Sequence, residues 1–278
     1  MSTTWHSDSE PPVFRPSLGD WVRIVLRGVP LALVTFSCLA LLLAVRVIER
    51  PIFGLKRPVT PHITQFVCRS AFVIMGMRHT THGAILKERG AIVANHASWL
   101  DIFALNAPMR VYFVAKAEVA GWVGIGWLAR ATGTVFIRRA RQEAARQKLI
   151  FAARLRAGHK LLFFPEGTSS DGLRVLPFKP TLFAAFFEDG LREVMQIQPV
   201  TVKYTAPEGA RPDFYGWWGD MGFAPHLLET LACKRPGAVE ITYHPPVAVA
   251  EVADRKVLAQ QMEDAVRSGL GEISSKEI

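Results

Sequence analysis

From Gly28 to Val45 the chain runs 18 residues without a charged side chain, with Arg23 and Arg27 before the run and Arg46 and Arg50 after it. A segment this apolar must be covered by lipid or by protein, and a bilayer core takes about 20 such residues as helix. The arginine collars favour lipid, because basic side chains can reach the headgroup level at either end. A cleaved leader is disfavoured: the far flank is basic and no small-x-small cleavage site follows the run. Pro30 and the marginal length suit a helix embedded in one leaflet as well as one that spans. The slight charge bias across the run sets no orientation. Residues 61–78, with Phe66, Phe72, Val73, Ile74 and Met75 among polar positions, read as an amphipathic helix beside it. The chain therefore divides into a polar, loosely held tail at 1–20, a membrane-anchoring helical segment at 21–79, and one domain at 80–278.

Beyond residue 80, short β-rich runs alternate with helical stretches. Strands are expected at Ala91–Ala94, Val111–Ala115, Thr134–Ile137, Leu161–Phe164, Ile197–Tyr204 and Val239–Tyr243. Helices are expected at Ile102–Ala107, Val119–Ala131, Ala140–Ala157, Leu182–Asp189 and Val252–Leu270. That alternation predicts an α/β fold, a central mixed sheet flanked by helices, preceded by the membrane-associated helical segment. Residues 206–226 stand apart as turn-rich. Their aromatics Phe214, Tyr215, Trp217 and Trp218 suit either a membrane interface or packing beneath a loop.

The formal charge of +9 is local. Residues 108–160 hold 11 Lys and Arg against two Asp and Glu, while the rest of the chain balances. Such a zone fits an anionic partner. Nucleic acid is disfavoured because no helix-turn-helix signature, zinc spacing or RNA-binding aromatic block accompanies it. Cys38, Cys68 and Cys233 are scattered and odd in number, with no CxxC, so neither a disulfide framework nor a metal site is expected.

Two motifs carry chemistry. His96-Ala97-Ser98-Trp99-Leu100-Asp101 follows one expected strand, and Phe164-Pro165-Glu166-Gly167-Thr168-Ser169 closes another. Strand ends in α/β sheets are where ligands collect. The first motif is weak alone: eight His and nine Asp give an H-x4-D pattern by chance about 0.3 times in such a chain. Ser98 to Asp101 is also a capping box, in which the serine hydroxyl bonds a free N–H of the first helical turn. A spacing of five does not stack side chains on one helix face. His96 then belongs in the strand-to-helix turn and Asp101 in the first turn of the helix, where it can cap, orient His96, or do both. In the second motif Pro165 fixes the backbone and Gly167 frees it, which leaves the charge of Glu166 in a loop.

In this order and spacing the motifs resemble the glycerolipid acyltransferases of the 1-acyl-sn-glycerol-3-phosphate acyltransferase type. Gly133-Thr134-Val135-Phe136-Ile137-Arg138-Arg139 is similar to a third block of that family, and Val194–Val200, ending in Gln198-Pro199-Val200, to a fourth. Val114-Ala115-Lys116-Ala117-Glu118 and Phe178-Lys179-Pro180 fit as well. Ser169, Arg138 and Thr181 depart from its usual residues, at places where a head group is sensed. Gly219-Asp220-Met221 with Pro225-His226-Leu227 is similar to a segment of the family's ornithine-lipid branch.

The resemblance implies transfer of a fatty acyl chain from acyl-carrier protein or coenzyme A to a lysolipid hydroxyl, with no cofactor. Such a thioester is already activated, so the protein need supply only a base, for which an imidazole with its ordinary pKa of about 6.5 is suited. His96 is then the base and Asp101 its orienting partner. Arg139 is expected on the acceptor's phosphate. Glu166, Gly167 and Thr168 would shape the acceptor site, with Arg138, Lys116 and Lys179 as further anion contacts. An N–H near Gly167 is a candidate oxyanion donor.

The leading acceptor is 1-acylglycerol-3-phosphate, giving phosphatidic acid, with lyso-ornithine lipid or another lysolipid as the alternative. A silent membrane lipid-binding protein is the reading from another class. A lipid-ester hydrolase is disfavoured because no Gly-x-Ser-x-Gly elbow occurs. The expected place is the inner face of the cytoplasmic membrane, with the domain on the cytosolic side where such donors reside.

Overall fold

The computed structural model describes residues 4–7, 13–88, 90–122, 124–137, 144–188 and 190–271. Helix α1 (Leu18–Phe53) begins at a capping box in which Ser17 Oγ accepts the Asp20 N–H and the Asp20 carboxylate accepts the Ser17 N–H. Its 36 residues make it about 54 Å long, well beyond the uncharged run that marks it in the sequence. Among the described residues it is the one helix long and apolar enough to cross a membrane, and Leu26, Leu33, Leu41 and Val47 on it are exposed.

Helix α2 (Thr60–Met75) is tied to α1 by Glu49, whose carboxylate accepts the Val59 and Thr60 N–H groups and the Thr60 hydroxyl. A helix starts with unpaired N–H groups, and here a side chain from the neighbouring helix satisfies them. Two of the arginines that flank the apolar run bond to protein instead of facing open surface. Arg23 and Arg27 donate to the carbonyls of Leu231, Ala232 and Cys233 at the end of α6 (Phe223–Ala232), where cations meet the negative end of a helix.

The sheet has the order β1 (Arg78–His82), β7 (Ala238–Tyr243), β6 (Gln196–Thr205), β2 (Gly90–Ala94), β5 (Leu161–Phe163), β3 (Tyr112–Lys116) and β4 (Val135–Ile137), with β8 (Val247–Ala248) paired to β6. β6 runs antiparallel to β7 and β8, and the remaining pairs are parallel, so the sheet is mixed. Side chains alternate across it with the period of a strand. Ile92, Ala94, Leu162, Val200 and Val202 pack on the side of α2 (through Cys68, Ala71, Phe72 and Met75), α3 (Asp101–Asn106) and α6. Ala91, Val93, Leu161, Phe163 and Ile197 pack on the side of α5 (Ala144–Arg156) and α7 (Arg255–Leu270). The core residues on α2 place that helix against the sheet as well as beside α1.

Some elements differ from expectation. β1 and α6 are additional. The expected helix Val119–Ala131 is split at Gly124, with φ of 73°, into a 3-10 turn (Ala117–Gly121) and α4 (Ile125–Thr132). The stretch Pro180–Phe187 is a 3-10 helix, whose three-residue period puts Phe183 and Phe186 together in the core. The aromatic segment packs inward: Tyr215 and Trp218 are buried.

Candidate active site

β2 and β5 are parallel neighbours, with Ala91 opposite Leu161 and Val93 opposite Phe163. Both motifs therefore leave the sheet side by side at its carboxyl edge, although some 70 residues separate them in the chain. The His96 ring lies flat on Phe164, with centroids 4.0 Å apart and planes 9° from parallel. Ahead of the histidine, buried Asn95 replaces a rung of the ladder: it donates to Val202 O at 2.9 Å and accepts the Val202 N–H at 2.8 Å. This ties the start of the turn to β6.

Asp101, with no exposed surface, sits at the first position of α3. Its Oδ2 lies 2.7 Å from His96 Nδ1 and accepts the N–H groups of Ala97 and Ser98 at 2.8 and 3.0 Å. One oxygen thus faces the imidazole and ties down the turn ahead of α3, while no side chain caps the helix itself. The other half of the expected capping box is absent: Ser98 Oγ is buried with no partner among the described residues. A carboxylate facing Nδ1 accepts its proton, which leaves the lone pair on Nε2, and the imidazole keeps about a fifth of its surface open.

Tyr204 completes the arrangement from β6, its hydroxyl donating to Asp101 Oδ1 at 2.7 Å. Burial, and then the Asp101 charge, push this phenol well above its ordinary pKa, so it remains a donor. Tyr204 closes an expected strand and carries no local mark of this role, since the contact spans 103 positions.

Glu166 is only 2% exposed. Its Oε1 accepts the His96 N–H at 3.0 Å, so it holds the histidine's backbone. Burial drives its carboxyl well above the ordinary 4.5; the His96 and Leu176 N–H groups oppose this, and the Asp101 and Glu263 charges add to it. Gly167, with φ of 74°, closes the turn by donating its N–H to Phe164 O. That N–H is therefore committed within the turn.

Thr168 Oγ1 accepts the Trp5 N–H at 3.3 Å, and Ser170 N–H donates to His96 O at 2.9 Å. Trp217 N–H donates to Ala97 O at 2.8 Å, bringing the aromatic segment onto the same turn. Trp99 Nε1 donates to His226 Nδ1 at 2.8 Å; burial lowers this histidine to about 4, so it is neutral and able to accept. Pro225-His226-Leu227 thereby supports the His96 motif through α6.

Lys179 N–H donates to Pro165 O, which places its backbone beside the second motif, and Lys116 ends β3 at the same edge of the sheet. Arg138 and Arg139 lie outside the described residues. Among the described residues no three His, Cys, Asp or Glu side chains group as metal ligands.

A family model described as Acyltransferase matches residues 75–203, which include both motifs. A lyso-ornithine lipid O-acyltransferase of Rhodobacter capsulatus is 57% identical over 97% of this chain and 98% of its own length. The chain belongs to the acyltransferase family. A second lyso-ornithine lipid O-acyltransferase, from Brucella abortus, is 38% identical over 85% of this acyltransferase and 92% of its own length. A 1-acyl-sn-glycerol-3-phosphate acyltransferase of Neisseria gonorrhoeae is 32% identical over 64% and 68%. The fold matches the crystal structure of a 1-acyl-sn-glycerophosphate acyltransferase from Thermotoga maritima with a TM-score of 0.57, at 21% identity, over 90% of this chain and all of that one. This enzyme is an acyltransferase of lysolipids.

Proposed function

We propose that the enzyme transfers a fatty acyl chain from an acyl thioester, carried by acyl-carrier protein or coenzyme A, to the hydroxyl of lyso-ornithine lipid. The observation that carries this reading is 57% identity along nearly the whole of both chains to a lyso-ornithine lipid O-acyltransferase. The 1-acyl-sn-glycerol-3-phosphate acyltransferase of Neisseria gonorrhoeae aligns over a shorter part of the chain, 64%, at 32% identity, and the two motifs resemble those of that type. Those motifs serve a hydroxyl and a thioester common to both branches, so the resemblance that favoured glycerol phosphate does not itself select the head group.

In the proposed reaction, His96 Nε2 takes the proton of the acceptor hydroxyl as its oxygen attacks the thioester carbonyl. The tetrahedral intermediate collapses with cleavage of the C–S bond, and the leaving thiolate recovers the proton from the imidazolium. Asp101 fixes the ring and stabilises its positive form, and Tyr204 fixes Asp101. Glu166 positions the His96 turn from behind. Arg139 and Arg138 are proposed as contacts for anionic groups of the substrates, among them the phosphates of a coenzyme A donor, with Lys116 and Lys179 at the same sheet edge.

The thioester brings its own activation, so the proposal needs no cofactor. α1 supports membrane association through its exposed apolar surface. A cytosolic donor places the sheet domain at the inner face of the cytoplasmic membrane. The test is acyl transfer by the purified enzyme in detergent, with acyl-carrier-protein and coenzyme A donors offered in turn, and His96→Ala as blank. Ornithine lipid formed by the wild type and not by the blank is expected; phosphatidic acid formed only from lysophosphatidic acid would return the acceptor to glycerol phosphate.

A further inference from the structure

The segment Thr4–Ser7 lies in the stretch that the sequence marks as a loose polar tail, yet it is docked on the two loops that support His96. Trp5 donates its N–H to Thr168 Oγ1 at 3.3 Å and accepts the Gly219 N–H at 3.1 Å. Its ring meets Trp218 edge-on, with centroids 6.3 Å apart. On the Thr168 side, the Arg174 guanidinium stands 5.4 Å from the Trp5 ring centroid.

Arg174 is gripped from a second direction by buried Asp171. Its Nε donates to the two carboxylate oxygens at 2.9 and 3.3 Å, and Nη2 lies 2.9 Å from Oδ2. Ser170 links it to the catalytic turn, with Oγ donating to Arg174 O at 3.4 Å and the N–H donating to His96 O at 2.9 Å. The Arg174 side chain nevertheless keeps 51% of its surface, and Nη1 has no acceptor among the described residues.

A guanidinium held on one edge by a carboxylate and near an indole is already ordered, so it loses little freedom when a ligand arrives. The charge of its surroundings limits what that ligand can be. Asp171 offsets Arg174, which disfavours a doubly charged phosphate but suits a single carboxylate on a head group that also carries a cation. Ornithine with one amine acylated has one carboxylate and one ammonium. We propose that Arg174 binds the carboxylate of the acceptor's amino-acid head group and that Trp5 is its positioning residue. This rests on the lyso-ornithine reading above and names the group that distinguishes that acceptor from a phosphate.

The test compares lyso-ornithine lipid with its carboxyl methyl ester as acceptors for the wild type, Arg174→Gln, Trp5→Ala and Trp5→Phe. A charge-assisted hydrogen bond at a half-exposed arginine corresponds to roughly tenfold in KM. The ratio of the ester's KM to the acid's is expected to be about ten for the wild type and near one for Arg174→Gln. It should be intermediate for Trp5→Ala and restored by Trp5→Phe, a pattern that general loosening of the fold does not give. Turnover of the acid with the full wild-type ratio preserved in Arg174→Gln would overturn this inference alone. No turnover of lyso-ornithine lipid by the wild type would overturn it together with the acceptor assignment.

Discussion

Replacing Asp101 by asparagine exchanges one carboxylate oxygen for an amide nitrogen without changing the shape of the side chain. The Oδ2 position faces three donors, at 2.7, 2.8 and 3.0 Å, so the amide must turn its carbonyl toward them. Its NH2 then points at the Tyr204 oxygen, which can accept a hydrogen bond as readily as donate one. The Tyr204 O–H then loses its acceptor, and folding should lose about 1–3 kcal/mol, which lowers Tm by roughly 2–10 °C. The reaction loses more. A neutral carbonyl does not stabilise the imidazolium that forms as the hydroxyl proton is taken, and a charged hydrogen bond contributes about 1.5–3 kcal/mol. The expected fall in kcat is roughly ten- to 150-fold. The analogous change in a serine-protease triad costs about 10⁴, where the wrong tautomer results. A smaller loss is expected here because Tyr204 lets the amide turn and keeps Nδ1 as the donor. The assay is labelled acyl transfer at saturating acceptor, beside thermal unfolding of the same preparations. Wild-type kcat in a folded Asp101→Asn enzyme would refute the assignment of Asp101 to the imidazolium.

Tyr204→Phe leaves Asp101 Oδ1 without its donor but keeps the charge, so Tm should fall by roughly 2–10 °C and kcat by only about three- to tenfold. A loss of kcat exceeding that of Asp101→Asn would contradict the supporting role given to Tyr204. Glu166→Gln preserves the acceptor for the His96 N–H and resembles the neutral acid that burial favours, so its activity should stay within about tenfold of wild type while Glu166→Ala loses far more. Because the folded carboxyl titrates above its ordinary 4.5, its contribution to stability is full below that pH and is lost as pH rises toward the folded value. Unfolding curves across that range should therefore fall less steeply with pH in Glu166→Gln, and parallel curves would count against a buried neutral Glu166.

The two motifs were legible because each is local and follows a short apolar strand whose residues alternate between two packed faces. Their juxtaposition was not, since it depends on β2 and β5 pairing in parallel. Tyr204 and Trp5 reach the site only through the tertiary fold, and nothing next to them in the chain marks them, whereas Arg174 is held in the second motif's own loop by Asp171. β1 escaped notice because Arg78-His79-Thr80-Thr81-His82 has no apolar face, as suits a strand at the sheet edge. α6 was hidden by the turn-rich aromatic stretch before it, although Leu227, Leu228 and Leu231 have helical spacing. The flanking arginines show the converse: their pattern fits a membrane collar, while Arg23 and Arg27 bond to the end of α6.

Competition between the two acceptors decides which one the enzyme prefers. Lyso-ornithine lipid and lysophosphatidic acid are mixed in equal amounts with one acyl-carrier-protein donor, and the two products are counted by mass spectrometry at low conversion. Their ratio is the ratio of the two kcat/KM values, independent of how much enzyme is active. Ornithine lipid is expected in excess by at least roughly two orders of magnitude, because polar groups that pair with one head group are left unpaired by the other. Phosphatidic acid as the dominant product would contradict the lyso-ornithine reading.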